Sequence, residues 1–217
     1  MIGGSSGRAA VVAMALGALL VLVGPTCSLA QPELFLYRQA GIHVLREGAP
    51  LAGDATFSSS RPVSLVGGNA WMDLGTWTGR LAIDAPVFVL SVSDLHVWLG
   101  LITSADIATP FDLEAEVWVK GGGSEARVGQ GLQRCITGLA RGASLAQEAV
   151  VPFVSTPAAF EGGAEWVRLR LRTRIGTNSQ NRRCTGGGPG QASAFGLRIY
   201  HGGTDQPSSF GLAIALP

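Results

Sequence analysis

Four arginines at alternate positions, Arg168, Arg170, Arg172 and Arg174, fall on one face of an extended segment, and Asp112, Glu114 and Glu116 fall on one face of another. Guanidinium forks match carboxylate and sulfate, so the arginine stripe has the chemistry to receive an anionic ligand such as an acidic polysaccharide. Left alone, each stripe repels itself. Side by side, the two would form cross-strand pairs contributing about 0.2–1 kcal/mol each, so the segments are expected to be neighbours in one sheet.

Five tryptophans accompany these charges. Trp71 and Trp77 flank a segment of mixed periodicity and are expected to cap the core. Trp118 and Trp166 belong to the polar faces of the two charged segments. There an indole can serve as a platform for a sugar ring, or cover arginine stems through cation–π contact, which is the default role. The candidate ligand-binding residues are therefore Trp118, Trp166, Arg168, Arg170 and Arg172.

Catalytic patterns are missing from the sequence. It has no GxSxG elbow, no HExxH and no phosphate-binding glycine loop. His43, His96 and His201 are far apart in the chain, and His96 alternates with apolar neighbours as a strand histidine with a satisfied ring would. No linear spacing selects a carboxylate pair for glycoside hydrolysis. Neither a CxxC nor a Cys/His cluster is present, and Asp84, Asp94 and Asp106 lie in no loop with dense oxygen-ligand spacing, so no metal or cofactor is expected.

The elements that would position these residues are strands. In Phe111–Lys120 and Trp166–Ile175 apolar and polar residues alternate strictly, as in antiparallel strands with one wet face. Further strands are expected over Leu34–Arg38, Ile42–Leu45, Pro62–Val66, Gly79–Asp84, Val87–Val92, Leu95–Leu101, Ala126–Val128, Ala146–Val154, Phe195–Tyr200 and Phe210–Ala215. Clusters of Gly, Pro, Asn, Asp and Ser separate them. No window after residue 30 carries a long helical stripe; a short turn around Leu139–Ala149 is the best candidate. The expected fold class is all-β, an antiparallel two-sheet β-sandwich of jelly-roll type.

The amino terminus reads as a secretory leader over residues 1–30: Arg8, an apolar run from Ala9 to Val23, and small residues at Ser28 and Ala30 for cleavage before Gln31. The apolar run is shorter than the ~20 residues a membrane helix needs. Cys27 lacks the aliphatic residue that a lipidation signal carries three positions upstream. Processing would leave one domain, 31–217, in which fifteen basic residues balance fifteen acidic ones. That balance argues against nucleic-acid partners. Cys135 and Cys184 remain as an even pair in an oxidising destination and are expected to form a bridge that pins the long irregular stretch 176–194.

The order of segments, from Trp77 and Arg80–Val92 through Phe111–Lys120 and Trp166–Leu171 to Tyr200-His201-Gly202-Gly203 and Pro207-Ser208-Ser209, resembles the galactose-binding-like jelly-roll module at the carboxyl end of X-Pro dipeptidyl-peptidase and cocaine-esterase type hydrolases. In that family the serine triad resides in a separate α/β domain, and this chain has neither the room nor the nucleophile motif for one. The resemblance implies an accessory module with no catalytic residue to carry over. The expected function is a non-enzymatic, exported β-sandwich acting in cell-surface or extracellular interaction, its partner a surface glycan or another extracellular protein. A carbohydrate-binding module using the exposed Trp and Arg side chains is the first alternative, and a secreted hydrolase with a dispersed acidic pair the second.

Overall fold

Alternating patterns become strands almost throughout. The computed structural model describes residues 28–51, 56–184 and 192–216; most of the expected leader, residues 1–27, lies outside them. The strands are β1 (Ser28–Ala30), β2 (Glu33–Gln39), β3 (Ile42–Glu47), β4 (Thr56–Ser59), β5 (Val63–Ser64), β6 (Met72–Ile83), β7 (Val87–Val92), β8 (Leu95–Leu101) and β9 (Phe111–Gly121). They continue as β10 (Ser124–Ile136), β11 (Gln147–Val151), β12 (Phe153–Ser155), β13 (Ala158–Phe160), β14 (Ala164–Ile175), β15 (Ser193–Ala194), β16 (Leu197–His201) and β17 (Ser209–Leu216). Among the described residues, helix is confined to two 3-10 turns, Ser104–Asp106 and Ala143–Leu145.

One layer of the sandwich runs β12-β10-β9-β14-β6. The other holds β8 between β11 and β16, with β4 beyond β16, and continues through β17 to β7 and β13. The apolar positions of β9 and β14, Leu113, Ala115, Val117, Val119, Val167, Leu169 and Leu171, are fully buried. They join Leu95, Val97, Leu99, Leu197 and Ile199 of the other layer in one core, with Trp77 buried among them. Removing such side chains from water is the main favourable contribution to a fold of this kind.

Three departures from the expected pattern have local causes. The two expected sheets are joined into one through β6-β3-β2-β17, with β5 and β15 as a small separate sheet, and the large sheet is mixed rather than wholly antiparallel, because Val44 of β3 pairs in parallel with Thr78 of β6. Between them the chain visits β4, which pairs with β16, and such a crossover is what a parallel neighbour requires. The expected strand Ala146–Val154 breaks at Pro152, which has no N–H to give a ladder; β11 pairs with β8 and β12 with β10. The expected strand Ala126–Val128 extends to Ile136 because its glycines mark close approach rather than a turn. A Cβ at Gly129 would lie 2.9 Å from Val92, and one at Gly131 2.7 Å from the Pro152 carbonyl oxygen. The short strands β1, β4, β13 and β15 have too few residues to show a period.

Cys135 and Cys184 are bridged, with Cα atoms 5.6 Å apart. The bridge holds the start of the irregular stretch, up to Cys184, against the end of β10; residues 185–191 lie outside the described ones.

Candidate functional site

The charged stripes meet as the residue pattern requires. β14 and β9 are antiparallel neighbours, and the register sets Arg170 opposite Glu116, Arg172 opposite Glu114 and Arg174 opposite Asp112. Arg172 Nη2 lies 2.5 Å from Glu114 Oε2 and 3.7 Å from Glu116 Oε2, and Arg174 Nε donates to Asp112 Oδ2 at 3.1 Å. The ladder also spreads onto strands that the stripes did not announce. Arg127 on β10 donates to Glu116 at 3.0 Å, Glu125 on β10 accepts from Arg168, and Asp73 on β6 accepts from Arg170 Nη2 and Nε at 2.9 and 3.1 Å. Each of the four arginines thus has a carboxylate partner. The acids sit beneath the guanidinium groups: Asp112, Glu114 and Glu116 are buried although they face outward from the sheet.

At one end of the ladder Asp112 is a hub. Its carboxylate accepts from the backbone N–H of Cys135 at 3.0 Å and of Thr177 at 3.1 Å, from the Thr177 hydroxyl at 3.0 Å and from Arg174. The Cys135–Cys184 bridge lies beside it. Asp112, Cys135 and Cys184 have the proximity of a metal cluster among the described residues, but both sulfurs are committed to the disulfide and are no longer thiolate ligands.

Toward the other end the aromatic rings lie among the charges. The Arg127 and Arg168 guanidinium groups stand 6.0 and 5.7 Å from the Trp118 ring centre, and Arg168 stands 5.2 Å from that of Trp166. Asp73, Thr76, Glu116, Trp118, Arg168 and Arg170 line a depression of about 330 Å³ on this outer face. Of the candidate ligand-binding residues read from the sequence, Trp118, Arg168 and Arg170 reach the depression, together with Glu116 of the acidic stripe. Arg172 is held at the ladder's middle by Glu114 and Glu116, and Trp166 stands beyond Arg168. Asp73 and Thr76 went unnoticed because β6 carries no charged stripe. Trp77 joins the core as expected, whereas Trp71 is half-buried on the outer face, its ring centre 4.4 Å from the Arg174 guanidinium, so it covers an arginine and does not cap the core.

A second polar cluster joins residues that no linear motif connects. Ser58 Oγ on β4 lies 2.6 Å from His43 Nε2 on β3 and 3.2 Å from His201 Nε2 on β16. Thr56 Oγ1 donates to the His201 carbonyl and lies 3.1 Å from His201 Nδ1. With the threonine proton so placed, Nδ1–H must donate to Thr56, which leaves Nε2 to accept from Ser58 and makes His43 Nε2–H the donor to that serine. His43 stacks on Trp77 at 4.6 Å between ring centres, and His201 meets the same ring edge-on at 5.4 Å. Burial, then the His43 and Arg38 charges, hold the His201 pKa down at about 3, and burial followed by Arg38 lowers that of His43.

The arrangement is directional, with Ser58 and His201 both buried and His43 half-buried. The unfolded chain therefore binds more protons than the folded one between pH 6.5 and 3. Stability is complete above that window and falls as pH drops through it. Lowering pH from 7.5 to 5 should remove about 2 kcal/mol through His201 alone, and urea midpoints of the wild type and of His201→Asn at the two pH values will check it; the variant's midpoint should move much less.

The other sites of interest have local partners. His96 Nδ1 is 2.7 Å from Glu148 Oε1 on β11, at the surface. Asp106 is buried; desolvation raises its pKa against the opposing hydrogen bonds from the Gly196 and Phe195 amides.

No family model matches the chain, and no curated protein matches it. Among solved structures, an aminopeptidase from a marine sediment Thaumarchaeota archaeon matches with a TM-score of 0.50 at 11% identity, over 84% of this chain and 36% of that one. A CocE/NonD family hydrolase from Staphylococcus aureus matches with a TM-score of 0.49 at 13% identity, over 88% of this chain and 37% of that one. The chain spans little more than a third of the length of either. The likeness to the aminopeptidase is one of fold alone, an all-β sandwich similar to part of that chain.

Proposed function

We propose that this chain is a non-enzymatic accessory β-sandwich of jelly-roll type, exported and acting in cell-surface or extracellular interaction, with the outer face of β6, β14, β9 and β10 as its recognition surface. One observation carries the reading: each arginine of the ladder is already matched by a carboxylate, so the face presents guanidinium donors, carboxylate acceptors and an indole with little net charge. That supports a neutral glycan over the acidic polysaccharide that the arginine stripe alone suggested. Hydroxyl groups on a sugar can accept from Arg168 and Arg170 and donate to Asp73 and Glu116, while an apolar ring face meets Trp118.

The disulfide fits an oxidising destination, and no helix among the described residues is long and apolar enough to cross a membrane. The burial of Ser58 beneath His43 and His201 supports a structural role for that cluster. A glycan array tests the reading: the wild-type chain should capture a neutral glycan and Trp118→Ala should lose at least ~10-fold in affinity, about 1.4 kcal/mol, while its urea midpoint stays close to wild type. Capture that survives Trp118→Ala undiminished would place the ligand elsewhere.

A further inference from the structure

Ser28–Ala30, the residues read as the end of the leader, form a strand. β1 pairs antiparallel with the end of β17, Ser28 opposite Leu216, Leu29 opposite Ala215 and Ala30 opposite Ile214. β17 pairs on its other side with β7, Ala215 opposite Phe88, and β7 pairs with β13, Phe88 opposite Ala159. Leu29, Ala215, Phe88 and Ala159 therefore form one apolar row across four strands on the outer face, with Leu29 63% and Phe88 41% exposed. Beside the row is a largely apolar hollow of about 270 Å³ whose walls include Pro86, Phe88, Ala159 and Ala215. On the inward side, Ala30 stands next to Ile214, which is fully buried.

We propose that cleavage after Ala30 strips β1 from β17, and that the vacated edge then takes an extended strand of a partner protein by antiparallel addition. This rests on the reading of residues 1–30 as a cleaved leader. β1 itself shows the chemistry the edge accepts. Its inward position, 30, carries a small residue, and its outward position, 29, carries an apolar side chain that extends the row. Main-chain hydrogen bonds to β17 supply the attachment, and the alternation of apolar with small supplies the selectivity. The pattern overlaps the one that marks the cleavage site, because both need a small residue at position 30. Cleavage also leaves Ile214 without Ala30 beside it, so the processed chain has apolar surface for the incoming strand to cover.

The test uses the chain recovered from outside the cytoplasm. Its amino terminus is sequenced first, and a start at Gln31 is expected. The peptides Gly-Gly-Ser-Leu-Ala-Gly-Gly and Gly-Gly-Ser-Leu-Pro-Gly-Gly, the second with proline at the place of Ala30, which stands in a hydrogen-bonded pair with Ile214, are then titrated while backbone amide resonances are followed. The first should shift amides at the end of β17 and around Phe88, with millimolar half-saturation, and the second should bind at least ~10-fold more weakly because proline cannot donate to the ladder. A start at Gln31 with no shift, or with equal response to both peptides, overturns the strand addition and leaves the leader reading intact. A start upstream of Ser28 overturns the leader reading and with it the vacancy.

Discussion

Replacing Asp112 by alanine should lower the free energy of unfolding by about 3–5 kcal/mol, the range for removing one partner of a buried charge pair. The carboxylate is fully buried and satisfies the Cys135 amide, the Thr177 amide and hydroxyl, and the Arg174 guanidinium together. Alanine leaves those donors without an acceptor and Arg174 without its countercharge. Asp112→Asn keeps one carbonyl acceptor and should lose less. Urea unfolding of both variants at neutral pH measures the difference. A loss below ~1 kcal/mol for Asp112→Ala would mean that water replaces the carboxylate at this end of the ladder.

Breaking the disulfide, by reductant or by Cys135→Ala with Cys184→Ala, should cost about 4 kcal/mol in the chain-entropy model. The bridge closes 49 residues of sequence, from the end of β10 past all of β14, so its loss frees a long stretch of the denatured chain. Cys135 also anchors the hub, since its amide donates to Asp112. The two effects therefore share a structure and should not add: Asp112→Ala made in the bridge-free chain should cost less than in the bridged one. A thermodynamic cycle of the four proteins gives that coupling directly, and full additivity would separate the hub from the bridge.

The part of the sandwich legible in sequence was the part in which one residue in two repeats a single chemistry. Arg168–Arg174 and Asp112–Glu116 disclosed their strands, their wet faces and their adjacency, because an unmatched stripe of like charge is unfavourable on any exposed sheet. Cys135 and Cys184 disclosed their pairing by being the only two left after the expected leader. β10 hid behind Gly129 and Gly131, whose missing side chains make room for Val92 and Pro152 and read locally as a turn. The parallel contact of Val44 with Thr78 depends on a crossover through the other layer, which no local pattern encodes.

The candidate site divides in the same way. Trp118, Arg168 and Arg170 stood on strands whose faces could be assigned. Asp73 and Thr76 came from β6, where Gly75 and Trp77 interrupt any stripe. His43, Ser58 and His201 belong to three strands that converge only in the folded sandwich, and their hydrogen bonds answer to burial, not to sequence spacing.

Recognition by a charge-balanced surface has a signature in salt. A ligand held by indole packing and by hydroxyl hydrogen bonds releases few ions when it binds, whereas an anion held by unpaired guanidinium groups is screened as ionic strength rises. The decisive measurement is a titration of the purified chain with neutral and with sulfated or uronate-bearing glycans of matched length, at low and at high salt. Binding of the neutral glycan with nearly the same Kd at both salt concentrations is the predicted result. Preference for the anionic glycan, weakening steeply with added salt, would contradict a self-neutralised face.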